Sequence, residues 1–328
     1  AQVDERGNLK LINNLDISLG EEPEEILQNL QNKVFNKTNI NNTAKLASDN
    51  EYQKHVREVE ASSPSRFNSD KRRLFEASGC AGKLAVFAVR LDTFPKEKIK
   101  RVFYIGTNNP CRLTRLRNRI MKESKNLPEM GEYMHRSFFN GSEKYCKDTF
   151  LIIKYLGTSF LPKLFSIKRR SDNLFKILQL PILNISDKIL HFISKSLPNH
   201  LPIKFRNYRD KYEHYLILVA SDESIKEMKV ILQTELKNFN DFQYFECTKS
   251  EEEAILLHRY VAGGAPTKAK ILNQNCTGNI LPFDVALPRN CKDWYKIIND
   301  EILLDMFESF RMGHFMCMVF HWDFVLKE

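Results

Sequence analysis

Paired cysteines and long apolar runs are both missing from this sequence of 328 residues. The seven cysteines are scattered and include no Cys-x-x-Cys pair, which argues against a disulfide framework or a zinc knuckle and indicates a reducing compartment. No stretch approaches the roughly 18 consecutive apolar residues of a spanning helix, so any membrane association is expected to be peripheral. The 42% hydrophobic composition is nevertheless that of a globular protein with about two domains.

A starting methionine and a secretion signal are missing as well. The first residue is Ala1, and no charged segment followed by an apolar core opens the chain. We therefore expect this chain to begin and end inside a larger protein.

Acidic residues are scarce between residues 135 and 211. This run has fifteen Lys and Arg residues against five Asp and Glu residues, a balance of +10, whereas the net charge of the whole chain is +9. The remainder is close to neutral, so one segment alone is expected to contact an anionic partner. The cations predicted to make that contact are Lys163, Lys168, Arg169, Arg170, Lys176, Lys188, Lys195, Lys204 and Arg206.

Apolar residues recur between these cations at helical spacing. From Ser186, which can cap a helix, to Pro198, which ends it, cations occupy one face and aliphatic residues the other. This pattern is typical of a helix that lies in a membrane interface. If about half of the net charge faced an anionic leaflet, the electrostatic contribution to the free energy of binding would be about 5 kcal/mol. Two alternatives stay open: a globular helix with a solvated basic face, and a nucleic-acid surface, which is less favoured because aliphatic side chains outnumber stackable rings.

Strand and helix signals alternate through the rest of the chain. They predict an α+β fold, an antiparallel sheet with helices that carries the basic run as an insertion. A small hairpin is expected in residues 1–12, and the apolar run at 84–89 is expected to be a strand buried on both faces. The other predicted strands are 102–107, 131–134, 215–220, 242–248, 280–287 and 314–326, and the predicted helices are 23–34, 51–61, 110–121, 222–238, 251–260 and 293–310.

His314 and His321 flank an apolar hexapeptide in the last predicted strand. Because side chains alternate along a strand, a separation of seven residues places the two histidines on opposite faces unless a bend or bulge intervenes. Composition alone therefore supports at most one of them as a functional residue.

Five segments are distinctive: 78–94, 102–108, 131–136, Arg-Asp-Lys-Tyr-Glu-His at 209–214 and Gly-His-Phe-Met-Cys-Met-Val-Phe-His at 313–321. They closely resemble the family of bacterial respiratory, quinone-dependent D-lactate dehydrogenases. The resemblance implies an enzyme that oxidises D-lactate to pyruvate with FAD and passes the electrons to a membrane quinone. It also implies the C-terminal part of a flavin-binding domain, followed by an antiparallel-sheet cap with a mainly helical, basic membrane-binding insertion.

Domain boundaries follow from the same resemblance. We expect the end of the FAD-binding domain at 1–93, the cap at 94–134, 212–249 and 274–328, and the membrane-binding insertion at 135–211 and 250–273. The family's pyrophosphate-binding segment and a short C-terminal piece have no counterpart here, so this chain alone is expected to hold FAD poorly and to be inactive.

The resemblance also implies site residues. Gly79, Cys80, Gly82 and the backbone of Val86 are the expected flavin contacts, although two glycines before a strand are more often a tight turn. Arg289 is expected to hold the lactate carboxylate through a bidentate fork, and His321 or His314 to act as the base.

A metal site is not expected. Related FAD-linked 2-hydroxyacid dehydrogenases have an Asp-x-Ala-x-Pro strand end, which residues 284–288 resemble, and a bent His-x6-His element that can hold a metal. In this chain the interval between His314 and His321 is apolar and has no glycine.

The expected partners are D-lactate, a quinone and an anionic phospholipid surface, with no nucleic acid, at the cytoplasmic side of the bacterial inner membrane. One alternative is another FAD-linked 2-hydroxyacid dehydrogenase, of the D-2-hydroxyglutarate or glycolate type. An alternative of another class is a non-catalytic basic module that binds lipid or nucleic acid.

Overall fold

The computed structural model describes residues 1–36, 38, 40, 49, 51–66, 70, 84–91, 93, 96–178 and 184–328. The chain divides into two compact units, one of Ala1–His55 with Arg66–Lys96 and one of Val56–Ser65 with Glu97–Glu328. The functional boundaries given above stay a prediction. Three of the expected flavin contacts, Gly79, Cys80 and Gly82, lie outside the described residues.

The first unit opens with the predicted hairpin, which is confirmed. Its strands β1 (Gln2–Val3) and β2 (Leu9–Lys10) pair antiparallel. The turn closes because the Asp4 carboxylate accepts hydrogen bonds from the backbone N–H groups of Arg6 and Asn8, and Gly7 supplies a φ of 84°. Helix α1 (Pro23–Gln31) follows, with proline at its first position, and α2 (Tyr52–Arg57) leads into the second unit.

The predicted buried strand at 84–89 is wrong. Leu84 forms one isolated bridge with Gln2, and residues 85–91 belong to no strand. Val86 is 54% exposed, and Phe87 and Val89 are more exposed still. An apolar run becomes a buried strand only when other strands pair with it and other elements cover both faces. Within the part of the chain that the structure describes, backbone bonds reach this run from Ala1 and Gln2.

The second unit is built on one sheet of seven strands in which every pairing is antiparallel. Their spatial order is β6-β3-β5-β4-β8-β9-β7. The strands are β3 (Lys100–Thr107), β4 (Met130–His135), β5 (His214–Ser221), β6 (Phe242–Glu246), β7 (Thr277–Ala286), β8 (Met306–His314) and β9 (Val319–Lys327). The long run between β4 and β5 is therefore an insertion between neighbouring strands, as the sequence predicted.

Helices cover both faces of this sheet. On one face Trp294 packs against Tyr133 and Phe320 and donates to Thr114 of α3. On the other face a core that includes Tyr104, Met134 and Tyr215 is shared with helices from the insertion. The helices are α3 (Pro110–Glu123), α4 (Arg136–Tyr145), α5 (Lys147–Leu156), α6 (Leu161–Ile177), α7 (Ile185–Ser196), α8 (Ile203–Lys211), α9 (Ser224–Asn238), α10 (Lys249–Val261), α11 (Ala265–Leu272) and α12 (Asp300–Leu303).

Local sequence signals explain where two of these helices begin. Asn109 caps α3 by accepting from the Cys111 N–H, with Pro110 at the first helical position. Thr248 and Glu251 form a capping box at the start of α10, each side chain bonding the other's backbone N–H.

The predicted helix at 293–310 is wrong. The chain instead forms a 3-10 turn at Trp294–Lys296, the short helix α12 and then strand β8. The apolar residues in 306–314 are spaced in a way that suits a strand as well as a helix. This segment forms a strand because it pairs with β4 on one edge and with β9 on the other.

The single strand predicted at 314–326 is also wrong. Strand β8 ends at His314, a 3-10 turn occupies Phe315–Cys317, and Met318 takes a left-handed φ of 58° before β9 returns antiparallel. The two histidines therefore sit on the two strands of a hairpin.

Buried histidines lie within the core beneath the insertion. His200 packs on Phe150 and lies 5.9 Å from His258, between ring centroids. Burial lowers the pKa of His200 to about 4 and that of His258 to about 3, from an ordinary value of 6.5, and nearby cations including Lys147 reinforce the shift at His200. Both rings are therefore neutral in the folded protein near neutral pH.

We expect this burial to make stability fall in acid. A histidine whose pKa is lowered by folding stabilises the protein fully above its unfolded value of 6.5, and the contribution is lost as the pH falls from there towards 4. Between about pH 7.5 and about pH 5, His200 alone should cost about 2 kcal/mol of unfolding free energy. Urea unfolding of His200→Gln at both pH values should show a smaller acid loss, with Asn199→Gln as the control; an unchanged loss would contradict the prediction.

Candidate functional site

The β8–β9 hairpin brings His314 and His321 together. Its register pairs His314 with Val319 and Met312 with His321, so both histidines project from the same face of the sheet. Their ring centroids are 5.0 Å apart with the planes nearly perpendicular. Opposite faces were expected only for a continuous strand, and here the apolar interval turns back, which is the kind of bend that brings both rings to one face. Gly313 permits this close pairing, since a Cβ there would lie 2.7 Å from the Val319 carbonyl oxygen.

A buried carboxylate holds His314. Glu132 lies opposite His314 on the neighbouring strand β4, and its Oε1 is 2.5 Å from His314 Nδ1. The Glu132 side chain is only 3% exposed, and its Oε2 is 3.2 Å from Nη2 of Arg259 on α10. Glu132 and Arg259 were both missed by reasoning from the sequence, because the signal that links them to His314 is strand register.

A second carboxylate holds His321. Asp284 lies opposite it on β7, with Oδ1 2.5 Å from His321 Nδ1, but the Asp284 side chain is 73% exposed. Two positions further along β9 lies Asp323, whose pKa is raised by burial and by the charge of Asp284. Asp284 was noticed in the sequence as a strand-end residue, and the structure pairs it with a histidine.

These contacts give each imidazole a defined role. An Nδ1–H that donates to a carboxylate leaves Nε2 as a proton acceptor. The side chains of His314 and His321 are 44% and 35% exposed, so a small molecule can reach both rings. The arrangement can therefore take a proton from a hydroxyl group placed over this face.

Arg289 does not join the histidines. It lies beside α3, where its guanidinium donates to the Ser63 carbonyl and hydroxyl at 3.0 and 2.9 Å and to Glu58 at 2.7 Å. Its own carbonyl accepts from Arg117 Nη1, and Arg117 Nε donates to the Met316 carbonyl in the hairpin turn. Arg289 is only 5% exposed. Its role as the carboxylate ligand stays a prediction.

Among the described residues, no group of three or more His, Cys, Asp and Glu side chains could hold a metal ion. The sequence expectation of no metal site stays a prediction. Val86, the expected flavin contact inside the described part, belongs to the first unit and lines an apolar groove of about 340 Å³ with Leu11, Ile26 and Leu30.

The charged insertion presents a basic helix pair, formed by α6 and α7. Lys168 pairs with Asp187 across the two helices, and Asp172 accepts from the backbone and the hydroxyl of Ser186. None of the residues of α6, which the structure describes in full, is buried. The apolar side chains exposed on this pair and just after it are Phe165, Ile167, Leu174, Ile177, Leu178, Ile189, Phe192, Ile193 and Leu197.

The nine cations predicted to contact an anionic partner divide into three groups. Lys168 is committed to Asp187, and Lys204 lies 3.5 Å from Glu251, so both have carboxylate partners. Lys188 and Arg206 are half-buried. The remaining members are exposed: Lys163, Arg169, Arg170, Lys176 and Lys195.

No described helix is by itself long and apolar enough to cross a membrane. The consecutive helical segments Lys147–Leu156 and Thr158–Ile177 meet the length and composition criteria only when taken together, and they are bent by 110° at the break between them.

Comparison with known proteins identifies relatives over the whole chain. It is 44% identical to the quinone-dependent D-lactate dehydrogenase of Haemophilus influenzae, 42% to that of Escherichia coli K12 and 36% to that of Corynebacterium glutamicum. All of this chain is covered in each case, but it spans only 58%, 57% and 57% of those proteins.

Among solved structures, one match is 4-ethylphenol oxidase from Gulosibacter chungangensis in complex with isoeugenol. The match covers 71% of this chain and 40% of the oxidase chain, with a TM-score of 0.36 and 9% sequence identity. A family model described as D-lactate dehydrogenase, membrane binding, matches residues 102–328. The resemblance seen in the sequence is confirmed. Because the model covers more than half of the chain, this chain belongs to the D-lactate dehydrogenase family that the model describes.

Proposed function

We propose that this chain is part of a flavoenzyme that oxidises D-lactate to pyruvate and passes the electrons to a membrane quinone. The observation that carries the proposal is the His314–Glu132 pair on the sheet face that also bears His321. The names of the relatives, all quinone-dependent D-lactate dehydrogenases, support the same substrate and acceptor.

In the proposed reaction His314 is the base. Glu132 accepts from Nδ1, which fixes the tautomer and leaves Nε2 to receive the proton of the lactate hydroxyl. When bound, FAD supplies the acceptor for the hydride that leaves C2 of lactate. His314 is favoured over His321 because its carboxylate partner is buried and therefore better fixed than the exposed Asp284.

The apolar segment 84–91 fits a contact with the flavin ring. Its side chains Val86, Phe87, Val89 and Leu91 are exposed and apolar. The backbone of Val86 lies outside any strand. We propose Val86, with Gly79, Cys80 and Gly82, as the residues of this chain that contact FAD. The acidic first turn of α1, with Glu24 and Glu25, does not suit a pyrophosphate.

We propose that the seven-stranded sheet is the cap over the substrate and that the first unit is the end of a flavin-binding domain. The basic helix pair then docks on an anionic phospholipid surface at the cytoplasmic side of the inner membrane, where a quinone can be reached. Exposed apolar side chains beside exposed cations support this assignment.

The catalytic proposal is tested with the full-length, FAD-loaded protein. Anaerobic mixing with D-lactate should bleach the flavin absorbance, and a soluble quinone should restore it. A panel with D-2-hydroxyglutarate and glycolate should show D-lactate as the best substrate. A flavin that D-lactate does not reduce would contradict the proposal.

Cations of the basic helix pair are expected to contribute to membrane binding. The exposed Arg169 and Arg170 are worth about 1 kcal/mol each near an anionic surface, so Arg169→Gln/Arg170→Gln should weaken binding to phosphatidylserine vesicles about 30-fold. Sedimentation with these vesicles measures the effect, and the difference should shrink at high salt.

Two comparisons make this test decisive. On vesicles of phosphatidylcholine, which have no net charge, the double variant should bind almost as well as the wild type. Single-stranded DNA at the same salt concentration should not compete; if DNA alone bound, the membrane assignment would be wrong.

A further inference from the structure

We propose that Arg259 binds the carboxylate of the substrate in the His314 site. The inference rests on the proposed oxidation of a 2-hydroxy acid and assigns one further residue to it. Arg259 lies near the end of α10, in a segment that the sequence assigned to the membrane-binding insertion.

Substrate geometry requires a cation close to the base. The carboxylate and the hydroxyl of a 2-hydroxy acid are on adjacent carbon atoms, so the groups that bind them must belong to one site. Arg259 and His314 meet this requirement because they contact the two oxygens of the same Glu132 carboxylate, at 3.2 and 2.5 Å. Arg289 lies on the α3 side of the sheet, with its guanidinium bonded to Glu58 and Ser63.

The guanidinium of Arg259 has bonding capacity left. Its described contact with Glu132 uses Nη2, whereas Nε is buried without a hydrogen-bond partner among the described residues. A buried N–H of a charged group without a partner is costly, and a carboxylate can accept from two guanidinium N–H groups at once. The Arg259 side chain is 28% exposed, so a small ligand can reach it.

Charge balance points to the same residue. Glu132 is an anion within the site, and a second anion, the substrate carboxylate, requires a cation beside it. Of the described hydrogen bonds and ion pairs made by Glu132, His314 and His321, only the one from Arg259 comes from a Lys or Arg side chain.

The experiment compares an anionic and a neutral substrate in the full-length, FAD-loaded enzyme. Single-turnover flavin reduction is measured with D-lactate and with D-lactamide, and the Kd of oxalate is measured from the flavin spectrum. For Arg259→Met we expect at least a tenfold lower kcat/KM for D-lactate and at least a tenfold higher Kd for oxalate, with D-lactamide changed less than about threefold. Arg259→Lys should recover part of both losses.

A matched control and a competing residue complete the design. Lys249→Met removes one exposed charge from the same helix and should leave the ratio of D-lactate to D-lactamide unchanged. Arg289→Met should lower thermal stability but keep that ratio, because its contacts hold residues 58–63.

Three results would overturn the proposal. Equal losses for D-lactate and D-lactamide in Arg259→Met would show that Arg259 only positions Glu132. If the preference for D-lactate over D-lactamide fell in Arg289→Met but not in Arg259→Met, Arg289 would be the residue that binds the substrate carboxylate. If Arg259→Met does not fold, an unchanged Kd of oxalate in Arg259→Lys and Arg259→Gln would likewise show that Arg259 does not bind the carboxylate. A wild-type enzyme that D-lactate does not reduce would instead contradict the proposed function.

Discussion

Replacing His314 with Asn should lower the kcat of the full-length enzyme for D-lactate by about 10²- to 10⁴-fold, the usual contribution of a general base. Nε2 of this ring is the proposed proton acceptor, and Glu132 holds Nδ1 at 2.5 Å. Without the ring, the hydroxyl proton has no acceptor as hydride leaves C2. Stopped-flow flavin reduction under saturating D-lactate measures this step directly.

His321→Asn is the matched comparison because its ring lies 5.0 Å away on the same face. Its partner Asp284 is exposed, so we expect a smaller loss. The loss of kcat in Glu132→Gln should lie between these two losses, since an amide can still accept from Nδ1 but lacks the negative charge that stabilises the protonated ring as the reaction proceeds. A larger loss in His321→Asn than in His314→Asn would transfer the role of base to His321.

Removing three exposed apolar side chains should almost abolish membrane binding. Phe165, Ile177 and Phe192 on the basic helix pair are 59%, 77% and 73% exposed. Burying a side chain of this kind is worth about 1.5 to 3 kcal/mol, so changing all three to Ser should lower the partition coefficient on phosphatidylserine vesicles by at least about a thousandfold. Vesicle sedimentation at several lipid concentrations gives the coefficient.

A control triple variant keeps the same chemistry at another surface. Val230, Leu236 and Leu304 are 63%, 42% and 71% exposed, and they lie outside the basic helix pair. Changing these three to Ser should leave vesicle binding within about twofold of wild type. If the two triple variants bound equally well, insertion of the basic helix pair into the interface would be excluded.

Local patterns predicted most of the sheet. The apolar runs at 102–107 and 215–220 became the neighbouring strands β3 and β5, because β-branched and aromatic residues in a short run suit a strand in almost any context. The run at 84–89 has the same composition but is exposed and unpaired along most of its length within the described residues. A strand depends on its partners, and composition does not supply them.

In the candidate site too, local patterns predicted some residues, whereas others were found only through tertiary pairing. Reasoning along the chain found His314, His321 and Asp284, but it predicted one continuous strand, which would separate the two histidines onto opposite faces unless a bend intervened. It could not find Glu132 or Arg259, which reach His314 through the register of β4 with β8 and the packing of α10. It proposed Arg289 for the substrate carboxylate, and the structure places this residue beside α3, where its carbonyl accepts from Arg117.

The amino-acid sequence by itself determined the family resemblance, the concentration of positive charge in residues 135–211 and the amphipathic spacing within it, because charge and periodicity are properties of consecutive residues. Only the tertiary structure decided that the aliphatic side chains of α6 and α7 face outwards and that His314, His321, Glu132 and Arg259 meet on one face. Strand register and helix packing join residues that are distant in the chain, and these depend on the free energy of the whole fold rather than on any segment.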